Sequence, residues 1–202
     1  TGTRWNHMTG EALYGPLAGK KLEIENVLHT TVEQALEGDP DVLIAISTHP
    51  QATRRSAPGS TLARLLSRIT SLNAMFKGTI AKEDGRRATM EMGIGLWVDS
   101  LARYYPMSTV QDQGSVFDQL AGRRVLVYFD PTAHALMALY SAAQSARWEG
   151  KVLWLSDGSR IEKGVLHLAD GSRGEPERPL QVFTRWYGFS LTFPKTEIYT
   201  QP

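Results

Sequence analysis

The stretch TGTRWNHMTGEALYGPLAG (residues 1–19) decides how the rest of the chain is read. Gly2, Gly10, Gly15-Pro16 and Gly19 divide it into short apolar runs, which is the punctuation of tight turns between short strands and not of a helix. The same punctuation returns later. Thr1-Gly2-Thr3-Arg4-Trp5 recurs in kind as Asp157-Gly158-Ser159-Arg160-Ile161, and Gly164, Asp170-Gly171 and Gly174 then break the chain as the earlier glycines do. Further on, TTVEQALEGDPDVLIA (30–45) aligns with TRWYGFSLTFPKTEIY (184–199), placing Pro40 over Pro194. Each reads as a short helical segment, a proline stop and a strand. Three features kept in order at offsets of 154 to 156 residues predict an internal duplication.

The duplication sets the expected organisation. Residues 79–156 lie upstream of the second turn and have no counterpart before the first, so residues 1–49 read as the C-terminal part of a first repeat. A linker and amphipathic helix (50–78) and a second, degenerate repeat (79–202) complete the chain. Thr1 is then expected to be a processing or boundary position. Its other reading is an N-terminal nucleophile whose own amine acts as base, a reading that needs flanking chemistry the sequence does not display.

Coarse element signals follow the same pattern. After Pro58-Gly59, Ser60 caps a predicted helix to Phe76, with Leu62, Leu65, Leu66, Ile69 and Leu72 on one face. Ala88 to Leu96 reads as a strand and Trp97 to Tyr105 as a short helix stopped by Pro106. Val125-Leu126-Val127-Tyr128-Phe129 is β-branched and aromatic, the composition of a buried strand. Ala135 to Tyr140, Lys151 to Leu155 and Gly164 to Leu168 continue a meander, and Pro50 to Pro58 reads as a linker. The predicted class is α+β, mainly antiparallel β-sheet with a few short helices.

These residues carry a resemblance. TGTRWNHMTGEALYGPLAGKKLE followed by TTVEQALEGDPDVLIA resembles the closing section of the bacterial domain-of-unknown-function family 3179, whose pattern there is approximately TGSxWxxxTGEAxxGPLAGxxL. LARYYPM (101–107), QLAGRRVLVYFDP (119–131), DGSRI (157–161) and FTRWYGFSLTFPKTEIY (183–199) are similar to that family's AYP segment, its GRPVVVTYCPL strand, its turn and its closing aromatic helix. The second copy is degenerate. Asp130 stands before Pro131 where the family pattern has Cys, and Tyr104 stands where AYP has Ala. The resemblance implies an exported bacterial protein, periplasmic, envelope-associated or secreted, of unknown activity. A functional Cys would belong to an upstream copy.

Composition narrows the function classes. Lys plus Arg number 22 against 21 Asp plus Glu, a formal charge of +1, so no global field recruits nucleic acid. Absence of Cys excludes disulfides, thiolate zinc sites and Cys nucleophiles. No stretch approaches the roughly 18 to 20 apolar residues of a spanning helix. One local excess stands out: Arg54, Arg55, Arg64, Arg68, Lys77, Lys82, Arg86 and Arg87 face only Glu83 and Asp84 between Pro50 and Arg87. That run suits an anionic membrane surface, a polyanion or an acidic partner, or else the solvated face of a helix.

Catalytic signals are sparse. Gly15-Pro-Leu-Ala-Gly19-Lys20-Lys21 fails the phosphate-loop pattern in both spacing and the residue after Lys, so it reads as a turn. The five His residues, at 7, 29, 49, 134 and 167, form no close pair, and no cofactor motif is present. No GxSxG elbow occurs, and Ser159 in Asp-Gly-Ser fits turn chemistry. Asp130 and His134, four apart after the buried strand, are the candidates for metal or acid–base work, against a plain turn with a polar His. Candidate binding residues are Trp5, Asn6 and Glu11 in the first turn unit, and Trp186 and Tyr187, which with Phe189 and Phe193 suit either sugar or peptide stacking or core packing. The expectation is a binding or structural module without catalysis in this copy, partnered by an upstream half or another chain. The competing expectation is a hydrolase or metal-assisted enzyme at Asp130 and His134 or in the upstream half.

Overall fold

A computed structural model of the chain describes residues 2–46 and 83–200. The predicted Pro50–Pro58 linker, the Ser60–Phe76 helix and Arg54, Arg64 and Arg68 lie outside the described residues. In chain order the elements are β1 (Arg4–Trp5), β2 (Ala12–Tyr14), α1 (Val32–Gly38), β3 (Met92–Val98), β4 (Leu101–Pro106), α2 (Met107–Gln113), β5 (Ser115–Leu120), β6 (Arg123–Asp130), β7 (Ala135–Tyr140), β8 (Ala146–Glu149), β9 (Val152–Leu155), β10 (Arg160–Glu162), β11 (Val165–His167), β12 (Arg173–Gly174), β13 (Leu180–Arg185), α3 (Trp186–Thr192) and β14 (Glu197–Ile198). Apart from the parallel pairing of β14 with β4, every named ladder is antiparallel. The chain is a β-rich α+β protein.

Strand β6 explains the layering. Val125 and Val127 alternate with Leu126 and Tyr128, and all four are fully buried, so this strand has apolar surface on both faces. Its sheet, β5-β6-β7, is therefore a middle layer. On one side Val125, Val127, Leu136 and Ala138 meet Ile94 and Leu96 of β3 and Tyr105 of β4, with Val110 of α2 in the same cluster. On the other side Leu126, Tyr128, Met137 and Leu139 meet Leu153, Leu155 and Ile161 from the five-stranded meander β12-β11-β10-β9-β8. A third cluster backs the sheet β13-β3-β4-β14, where Trp186 and Phe189 of α3 lie with Trp97, Ala102 and Tyr104. Burial of each large side chain is worth about 1.5–3 kcal/mol, and these three clusters are where the fold's stability is concentrated.

Glycine makes the α3 contact close. A Cβ on Gly95 would stand 2.0 Å from Phe189 Cε2, and one on Gly93 would stand 2.5 Å from Tyr104 Cζ and 2.4 Å from the Tyr105 carbonyl oxygen. Aromatic rings occupy the space that side chains would otherwise fill.

Side chains join two sheets along seams that lack a main-chain ladder. Gln181 of β13 donates from Nε2 to the Ala138 carbonyl at 3.0 Å and accepts the Ala138 N–H on Oε1 at 2.9 Å. Asn26 repeats the device one step out: its Oδ1 accepts the Gln181 N–H and its Nδ2 donates to the Pro179 carbonyl. At the opposite seam Arg103 of β4 donates to Asp118 and to the Gln119 carbonyl of β5.

Two expectations are corrected. Residues 97–105 are not a helix but the end of β3, the turn and most of β4 in the β3–β4 hairpin, with Asp99 at φ +52° in the bend. Tyr104 and Tyr105 are buried on opposite faces, so β-sheet packing overrides the helical leaning of Leu101-Ala102-Arg103. Pro106 accordingly ends β4 and caps α2 at φ −61° instead of stopping a helix before it. The strand expected after Pro40 does not form, whereas its counterpart after Pro194 does, as β14. Among the described residues no helix is long and apolar enough to cross a membrane.

Candidate functional site

Asp130 is the last residue of β6, paired in register with Ala135, and Pro131 to His134 make the bend between them. A carboxylate at this position folds back on its own turn: Oδ1 accepts the N–H groups of Thr132 at 2.7 Å and Ala133 at 3.1 Å. His134 closes the bend at φ +50°, a left-handed conformation in which His is enriched. Its ring is exposed and meets Phe129 edge-on, with centroids 6.2 Å apart.

The second oxygen of Asp130 is taken from above. Gln34 Nε2 donates to Oδ2 at 2.6 Å, and both side chains are buried. Gln34 is held there by a capping box at the start of α1, where Thr31 Oγ1 accepts the Gln34 N–H and Gln34 Oε1 accepts the Thr31 N–H. One amide thus caps a helix with its oxygen and reaches the β6–β7 bend with its nitrogen. Gly164, at φ +79° in the β10–β11 turn, lies against the same amide, and a Cβ there would sit 3.4 Å from Nε2. Ion pairs from Lys163 to Glu33 and Glu37, and a hydrogen bond from Arg173 to the Glu37 carbonyl, tie α1 to the meander. The partners of Asp130 are therefore Gln34, Thr132 and Ala133, and its bonds do not run to His134. Among the described residues no three His, Asp or Glu converge to hold a metal ion.

The other sequence candidates fall in two places. Asn6 Oδ1 accepts the N–H groups of Met8 and Thr9, and its main chain pairs with Glu11 and Gly10, so Asn6 shapes the β1–β2 turn. Glu11 is exposed and bridges to Lys21, and Trp5 is half-buried beside Ala12. Trp186 is fully buried, its indole N–H donating to the Asp84 carbonyl and its ring meeting Tyr104 edge-on. Tyr187 is half-buried on the same helix. Of the basic run, Arg86 and Arg87 are described, and each is paired, with Asp84 and Glu91.

Sequence reasoning missed a second charged cluster. Arg103 Nη1 lies 2.6 Å from Asp118 Oδ2, its Nε donates to Glu197 at 2.9 Å, and the Tyr105 hydroxyl donates to Asp118 Oδ2 at 2.8 Å. Burial opposes the charge of Arg103, but the bonds to Asp118 and Glu197 win and hold its pKa above the usual arginine value. Burial, reinforced by the charge of Asp118, pushes the Tyr105 hydroxyl up. Tyr199 stacks on Tyr105 with centroids 5.1 Å apart, and a cleft of about 460 Å³ opens between Phe117, Glu197 and Tyr199. No local signal could have shown this cluster, because Arg103, Asp118 and Glu197 meet only through the sheet.

A search of curated proteins and a search of solved structures return no match to the chain. The family model described as a protein of unknown function, DUF3179, matches residues 1–193, and the chain belongs to that family.

Proposed function

We propose that this chain is an extracytoplasmic binding or structural module, in which the position that the family pattern gives to Cys serves the fold instead of a reaction. The observation that carries this reading is the occupancy of Asp130: a buried carboxylate with both oxygens committed to Gln34 and to its own turn. A general base or metal ligand needs a lone pair facing its substrate, and here three N–H donors engage both oxygens, Gln34 on Oδ2 and the turn amides of Thr132 and Ala133 on Oδ1.

Asp130→Ala tests it. Removing the carboxylate strands one buried side-chain amide and two main-chain N–H groups, a loss of about 2–4 kcal/mol in urea unfolding. Catalytic carboxylates tend to be held at a cost to stability, and their removal is often neutral or stabilising. An Asp130→Ala protein as stable as the parent would overturn the structural role, as would turnover that Asp130→Asn abolishes. The extracytoplasmic placement rests on the family resemblance and is tested by osmotic-shock fractionation of the source cells, where recovery with cytoplasmic markers would remove it.

A further inference from the structure

The arm of residues 2–46 presents an unusual outer surface. Most of the large apolar side chains left exposed among the described residues lie on it, and only Trp154, Leu168 and Leu191 lie elsewhere. Val27, Val32, Leu36, Leu43, Ile44 and Ile46 are among those exposed on the arm.

What covers such a face elsewhere in the molecule identifies its occupant. Helices α1 and α3 are each seven residues long and start 154 positions apart, Val32 with Trp186. The match continues past them: Asp39 N–H bonds the Ala35 carbonyl and Val42 N–H the Asp39 carbonyl, as Phe193 N–H bonds Phe189 and Thr196 N–H bonds Phe193. In this register Trp186, Phe189 and Ser190, buried on α3, correspond to Val32, exposed at 58%, Ala35, half-buried, and Leu36, exposed at 43%. Glu197 and Ile198, the strand β14 that pairs in parallel with β4, correspond to Leu43 and Ile44, exposed at 94% and 56% and in no strand. Helix α3 and strand β14, two of the elements that pack on the β3–β4 hairpin in the later part of the chain, have counterparts on the arm with no such hairpin among the described residues.

We propose that the outer face of residues 32–46 is the seat of a second hairpin of the β3–β4 kind, supplied by a further half-domain of the same family. Helix α1 lies on its glycine-bared face, and residues 43–44 add to its free edge as a parallel strand, completing their backbone hydrogen bonds. A second copy of this chain is a poorer occupant, because its β3–β4 hairpin already carries its own α3 and β14. The inference deepens the module reading by naming the partner, yet its test does not touch Asp130, so either can fail alone.

The test places the photo-crosslinking residue p-benzoylphenylalanine at Leu36 and, separately, at Ile44, in the chain expressed in its source cells. The expected product joins position 36 to a strand segment of Gly-x-Gly type and position 44 to the adjoining strand of the same hairpin, identified by mass spectrometry. Links confined to the arm of a second copy, or to another segment within residues 1–202, overturn the proposal. So does an unlinked product in which the amides of residues 43 and 44 exchange as fast as those of a free peptide.

Discussion

Gly95→Ala is the most direct probe of how α3 sits on its sheet. The added Cβ would stand 2.0, 2.2 and 2.4 Å from Cε2, Cδ2 and Cζ of Phe189. Carbon atoms rest at about 3.5–4.0 Å, so the ring must retreat by roughly 1.5 Å. It has nowhere to go: Trp97, Tyr104 and Phe193 surround it at centroid distances of 6.3, 5.6 and 4.8 Å, and it is fully buried. Overpacking of this kind costs about 1–3 kcal/mol, against a gain of about 0.5–1 kcal/mol for replacing Gly by Ala in regular structure. The balance is a loss of about 1 kcal/mol, which for a chain of this size lowers Tm by about 2–4 °C. Scanning calorimetry measures it. Phe189→Leu made in the Gly95→Ala background should recover part of the loss, a coupling of at least about 1 kcal/mol in a double-mutant cycle. A Gly95→Ala protein that melts at or above the parent's temperature would refute the close contact of Phe189 with β3, and with it the comparison of α1 with α3.

Two further outcomes follow from buried polar groups. Gln181→Leu removes both bonds to the Ala138 main chain, and since Arg178 still reaches the Ala138 carbonyl at 2.7 Å, the orphan is chiefly the Ala138 N–H. The expected loss is about 2 kcal/mol in urea unfolding, and a change under about 0.5 kcal/mol would count against the seam. Burial raises the pKa of Tyr104, Tyr105 and Tyr128 above the ordinary value of 10.0, with the charges of Glu91 and Asp118 adding to it at the first two. The unfolded chain therefore releases these protons first, so stability is full below pH 10 and falls as pH rises beyond it. Absorbance at 295 nm should show these three tyrosines ionising only as the far-ultraviolet dichroism of the sheets is lost, and their ionisation in the intact fold would refute the burial argument.

Legibility tracked the range of the interactions. Strand β6 was readable because a β-branched and aromatic run buried on both faces needs no partner to be recognised, and the short helix α1 was readable as a segment stopped by Pro40, though not its cap. The β4 strand was not, since Leu101, Ala102 and Arg103 favour helix locally and only the pairing with β3 and the burial of Tyr104 and Tyr105 decide otherwise. At the candidate site Asp130 was found through its place after β6, but its partner Gln34 lies 96 residues away and no pattern announces that bond. The aromatic group at 186–193 was foreseen as either a stacking surface or core, and only Gly93 and Gly95, whose bare faces admit the rings, separate the two. The Arg103 cluster was invisible because salt bridges across a sheet leave no spacing signature.

The two faces of the N-terminal arm divide the work of docking. Inwardly it is held by polar clasps: Asn26 on Pro179 and Gln181, Gln34 on Asp130, Glu33 and Glu37 on Lys163. Net hydrogen bonds contribute about 0.5–1.5 kcal/mol each and exposed ion pairs less, whereas ordering the backbone costs about 1–2 kcal/mol per residue. Polar clasps alone cannot hold 45 residues in place at those rates, and Met8 and Ala12 are the apolar side chains that the arm buries. What the clasps do supply is register: Gln34 fits only where Asp130 presents an oxygen and Gly164 leaves room. Further apolar burial is available on the outer face, where Val32, Leu36, Leu43 and Ile44 are exposed. An occupant of that face would therefore stabilise the inner contacts as it binds, coupling the arm's grip on Asp130 to the presence of its partner.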